Sequence, residues 1–220
     1  MALIMHLTKA PRYQNIYTDE YETIPLDDLA LIDKYFFWSM RRAEGKTDAY
    51  TLEKWCGIPE SKLPHKYVVN YYREFFTEKR FYKEHIGNVT GFSIFTQAAR
   101  IVKANQIFGW FIENVMDGKA DKSYHEVTKE QFEKLASACR CVCETITQVR
   151  NNESEDVQFM VNEDVAKMYL PTMDNPVLFF GTNQYGNVYA TDIIRTLRTV
   201  ERILRTTDFE KEVIYFNAMW

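Results

Sequence analysis

Lys103-Ala104-Asn105-Gln106-Ile107-Phe108-Gly109-Trp110-Phe111 sets a cation and two amides inside an apolar, aromatic run. Ala104, Ile107, Phe108 and Phe111 recur at three- and four-residue steps, the rhythm of one helical face. The pattern predicts a helix from about Thr96 to Met116, stopped by Asp117-Gly118. An apolar face of this kind is buried, and polar groups within it need partners. Asn105 and Lys103 therefore either fasten two elements together or read a ligand. On such a helix Arg100, Lys103 and Gln106 follow one another at three-residue steps. Gly109 lets a backbone or a ligand come close. In the ligand reading this is a pocket wall: Arg100 and Lys103 hold an anion, Asn105 reads a polar edge and Trp110 stacks. The competing reading is a solvated face with Asn105 bonded to a neighbouring loop.

On the N-terminal side, residues 2–7 alternate weakly and predict a short strand with Leu3, Met5 and Leu7 on one face. Pro25 suits a helix start, and Leu29, Ile32, Phe36 and Met40 continue it to about residue 43. A short helix is expected over 48–56 and a further helix over 65–85. The 25–86 block is helical, aromatic and self-contained, and reads as an inserted subdomain; residues 1–24 and 87–220 form the core domain. Residues 92–95 suggest a short strand.

On the C-terminal side, Thr128-x-x-Gln131 fits a capping box, and Phe132 through Val149 keep helical spacing. Asn162 caps a short helix ending at Tyr169. Val177–Gly181 reads as a buried strand, with Val188-Tyr189 returning as another. Thr191 or Asp192 caps the last helix, and Glu212–Phe216 reads as a strand. The expected class is α+β and helix-rich: a small, mostly antiparallel sheet of the N-terminal strand, the 177–181 region and the C-terminal strand, covered by helices and carrying a helical insertion.

Composition supports a packed domain. The 220 residues are 46% hydrophobic and 15% aromatic, with Gly 8 and Pro 6, which suits long regular elements around a bulky core. Net charge is -4 and the pI about 5.7, against the broad positive field of a general nucleic-acid binder. No apolar run reaches the roughly 18 residues of a membrane span. The opening Met1–Leu7 lacks a preceding basic region, so a signal peptide is not expected.

Two further groups carry candidate chemistry. Arg195, Arg198, Arg202 and Arg205 are spaced 3, 4 and 3 and share one face of the last helix, a ridge for an anion or an acidic partner. Its plainer reading is the wet side of an amphipathic helix, with Glu201 partly neutralising it. Phe179-Phe180-Gly181-Thr182-Asn183, with Tyr185, forms a strand-ending turn where a ligand could approach, but lacks a phosphate-loop pattern; Thr182 and Tyr185 are its candidate contacts. Cys139, Cys141 and Cys143 lack zinc or redox spacing and read as small residues of a reducing compartment. His6, His65, His85 and His125 form no metal pair. No catalytic residue, metal site or cofactor is assigned.

Several segments together resemble a family of uncharacterised bacteriophage proteins. Met1–Lys9 is similar to that family's M-G-L-D-M-Y-L opening. Ile101–Phe111 resembles W-R-K-A-N-x-I-H-x-W-F. Leu170-Pro171-Thr172, then Phe179-Phe180-Gly181-Thr182 with Tyr185, resembles L-P-T…F-F-G-S…Y, and Tyr215–Trp220 is similar to Y-Y-Q-S-S-W. The 25–86 block falls outside these matches. Ile4, His6, Val102 and Phe108 replace the family's Asp, Tyr, Arg and His, while Lys103, Asn105 and Trp110 remain. The resemblance implies a phage protein acting in the host cytoplasm and implies no reaction.

The leading expectation is a non-enzymatic phage accessory protein that binds, as counter-defence, either a nucleotide-like signal or a host protein. The alternatives are a small-molecule enzyme acting on a nucleotide or phosphate compound, and a nucleic-acid-associated protein using the Arg ridge. Nucleic acid ranks behind the other partners, no membrane is expected, and the aromatic surplus suits a homodimer.

Overall fold

The computed structural model describes residues 3–15, 17–32, 34, 59–62, 64, 95–150, 157–173 and 184–220. The chain forms two compact units. One comprises Met1–Lys9, Gln97–Phe209 and Val213–Trp220; the other comprises Ala10–Thr96 and Glu210–Glu212.

The first unit is built on an antiparallel sheet of four strands. They are β1 (Ile4–Pro11), β4 (Thr96–Val102), β5 (His125–Val127) and β8 (Glu212–Met219), in the order β4-β1-β8-β5. β5 pairs with β8 in the register His125↔Phe216 and Val127↔Ile214. Alternation dictates the buried face. Leu3, Met5 and Leu7 at the start of the chain, and Ile214, Phe216 and Ala218 on β8, all point into one core. The fold is α+β, and the N- and C-terminal strands lie side by side in it.

Helices cover that face: α1 (Asn105–Asn114), α2 (Lys129–Cys143), α3 (Glu163–Tyr169) and α4 (Asn187–Thr206). α1 contributes Ile107, Phe108 and Phe111. Phe111 stacks on Phe216 at 4.0 Å with 8° between ring planes, and Phe108 lies 5.3 Å from Trp220. α2 packs along α4, sealing Leu135, Cys139 and Val142 with Ile193, Val200 and Ile203. The α2 capping box forms as expected: Gln131 N donates to Thr128 Oγ1 at 3.2 Å, and Thr128 N donates to Gln131 Oε1 at 2.8 Å. Asn162 caps α3 by accepting from Asp164 N and Val165 N.

Three expectations need correction. Thr96–Val102 is a strand, not the first half of a helix. Thr96, Ile101 and Val102 are β-branched and prefer extended backbone, and the strand runs beside β1, where Lys103 N donates to Leu3 O at 3.0 Å. Ala98-Ala99-Arg100 favours helix locally, but the tertiary pairing overrides it. Lys103, at φ 61°, turns the chain out of β4 and into α1. Second, α2 ends at Cys143, and Thr147–Arg150 forms β6, paired with β7 (Val157–Met160) as Val149↔Gln158; Val149 is exposed there. Third, Val188-Tyr189 lies inside α4, which starts at Asn187 rather than after Thr191 or Asp192. Gly186 occupies the cap position without a side chain to announce it, and Asn187 Oδ1 instead accepts from Phe159 N on β7.

The second unit holds a small antiparallel pair, β2 (Tyr13–Gln14) with β3 (Tyr21–Glu22). Its turn is closed by Asn15 N to Glu20 O at 2.8 Å, and Asp19 adopts φ 61°. Residues 26–32 are helical, with Leu29 N donating to Pro25 O and Ile24, Leu29 and Ile32 buried. Glu60–Lys62 form a 3-10 turn. The strand expected over 177–181, residues 92–94 of another, and most of the 25–86 insertion lie outside the described residues.

Candidate functional site

The pocket-wall residues do not share one helix face. Arg100 is exposed on β4, and Lys103 is exposed at the strand-to-helix turn. Asn105 and Gln106 begin α1 and are buried. Trp110 is almost buried, set edge-on to Phe111 at 5.3 Å and 89°. Met173 closes over α1 from outside: a Cβ at Gly109 would meet its Cγ at 2.9 Å. The missing side chain at Gly109 thus admits another side chain of this protein.

Tyr185 is half-buried just before α4. Its hydroxyl lies 3.1 Å from Thr172 N, which donates to it, and its ring is 5.0 Å from that of Tyr189. Tyr189, fully buried, donates to Leu170 O at 2.8 Å, and burial pushes its phenol pKa up. Together they fasten residues 170–172 to the start of α4. Thr182, the other candidate in this turn, lies outside the described residues.

A polar cluster that sequence spacing did not reveal joins α1 to α4. Burial raises the pKa of the half-buried Asp192 carboxyl, while the side chain of Gln106 and then the charge of Arg195 pull it back. Gln106 belongs to the Lys103–Phe111 stretch, and from the sequence Asp192 reads only as a cap. Nothing in the sequence indicates that the two face each other.

The Arg ridge is where helical spacing placed it. Arg195, Arg198, Arg202 and Arg205 are all exposed, on the side of α4 opposite Tyr189, Ile193, Thr196, Val200 and Ile203, which are buried. Among the described residues none of the four forms an ion pair. Glu201 does not neutralise the ridge, because it pairs across to Arg140 of α2 at 3.0 Å. Arg202 Nη2 donates to Ala98 O on β4 at 2.9 Å. That bond brings the ridge beside an edge strand whose next outward residue is the exposed Arg100.

The remaining polar groups look structural. His125 and Asp121 lie 2.8 Å apart; that hydrogen bond, then the one from Ser123 N, holds the Asp121 carboxyl below its usual range. Lys122 sits over the Trp220 ring at 5.4 Å. Cys139 is buried, which drives its thiol pKa up and leaves it inert. Among the described residues no group of His, Cys, Asp or Glu is arranged to hold a metal, and no helix is long and apolar enough to cross a membrane. No family model, curated protein or solved structure matches this chain.

Proposed function

We propose that this chain is a non-enzymatic phage accessory protein that works in the host cell by binding an anionic partner, as counter-defence. The observation that carries the reading is the Arg ridge: four exposed guanidiniums that form no ion pair among the described residues, on a chain whose net charge is -4. Unpaired like charges on one face repel one another, and a surface of this sign is relieved by an opposite one. The phage assignment rests on the four motif segments quoted above. The partner is a host protein or a nucleotide-like signal.

The test is affinity purification of the tagged chain from phage-infected cells, followed by mass spectrometry of retained proteins and small molecules. The wild type is expected to retain a partner that Arg195→Ser/Arg198→Ser/Arg205→Ser loses, with unchanged melting. Arg202 is left in place because it holds Ala98 O. Identical retained sets for both proteins would overturn the reading.

A second reading, an enzyme acting on a nucleotide or phosphate compound, draws on Asp192. A carboxyl with a raised pKa suits proton donation, and Arg195 beside it suits an anion. Turnover in a nucleotide panel that disappears in Asp192→Asn would transfer the assignment to this reading.

A further inference from the structure

We infer that the partner of the α4 ridge is an acidic protein surface, a helix face carrying carboxylates at three- and four-residue steps. The inference rests on the binding role proposed above and specifies what is bound.

The shape of the ridge excludes a small ligand as its main occupant. It is the outward face of a 20-residue helix, convex and exposed, whereas small-molecule sites are concave. The ten steps from Arg195 to Arg205 rise about 15 Å, the length of a macromolecular contact.

Charge and chemistry then favour protein over nucleic acid. A nucleic acid extends its negative charge well past any local contact and needs a broad positive field. This chain carries 31 acidic against 27 basic residues, so a long polyanion is repelled beyond the ridge. An acidic protein patch ends where its own carboxylates end, and needs only local complementarity. Single-stranded nucleic acid also calls for stacking platforms. The one aromatic side chain of α4, Tyr189, is buried.

Spacing adds a positive argument. Carboxylates on one side of a partner helix recur at the same three- and four-residue steps as these arginines. Each guanidinium can then meet its own carboxylate through paired N–H donors. The ridge is kept available because its neighbouring acid Glu201 is engaged elsewhere, with Arg140. Arg202 is anchored on Ala98 O, which holds one guanidinium in place before binding. Exposed Arg100 extends the basic surface onto β4.

The experiment uses the full chain and two fluorescent probes: an alanine-based helical peptide with Glu at three- and four-residue steps, and a duplex DNA. Both are titrated by anisotropy at low salt. The peptide is expected to bind more tightly than the DNA. Arg195→Glu/Arg198→Glu should weaken the peptide by about tenfold or more without changing the melting temperature. A peptide with Lys in place of Glu should bind the reversed variant in preference to the wild type, an exchange that a merely structural role would not produce. DNA binding as tight as the peptide's, or peptide binding that survives charge reversal, overturns the inference. If the peptide fails while infected cells still yield a partner lost on arginine removal, the binding role stands and the carboxylate assignment falls.

Discussion

At the scale of single residues, burial decides what each polar group can do. Asn105 and Gln106 are buried, while Lys103, two residues earlier, is exposed; the sequence shows three polar residues in a row of apolar ones and cannot rank their exposure. Asp192 illustrates the consequence. Burial holds its carboxyl above the ordinary value of 3.8, so the folded state binds the proton more tightly than the unfolded one. Its contribution to stability is therefore fully present below that value and is lost as pH rises through the folded pKa. Asp192→Asn removes the charge that burial opposes. The variant is expected to melt at a higher temperature than wild type at pH 7, with the gap narrowing as pH falls to about 4. Thermal melts across pH check this, and a gap independent of pH would show that burial does not govern the group.

At the scale of elements, those with an explicit end signal were legible and those without one were misplaced. Thr128 and Gln131 announce α2, and both capping bonds form. Thr128→Ala should lower stability by about 1 kcal/mol, read by urea unfolding, because it leaves Gln131 N without its acceptor. No loss would mean that water or a neighbour replaces the cap. β4 has no such marker. Its Ala98-Ala99-Arg100 centre favours helix, and pairing along β1 overrides that local preference. α4 begins at Gly186-Asn187, where the capping side chain is absent, so from the sequence alone its start reads as a strand. The Arg ridge survived that error because its spacing depends only on the helix interior.

At the scale of the whole molecule, the two ends of the chain cooperate. β8 is an inner strand between β1 and β5, and its Phe216 stacks under Phe111 of α1. A chain ending before Glu212 would lose the strand that joins β1 to β5 and should show no cooperative thermal transition; circular dichroism melts test this, and a retained sharp transition would place the core elsewhere. The sequence by itself determined the α+β class, the apolar faces of β1 and α2, and the Arg ridge. All of these follow from local periodicity and from caps a few residues apart. Tertiary structure alone decided that 96–102 is a strand, that Gln106 faces Asp192, that Glu201 answers Arg140, and that Arg202 rests on Ala98. Those outcomes depend on groups distant in sequence meeting in space, where burial and pairing outweigh local preference.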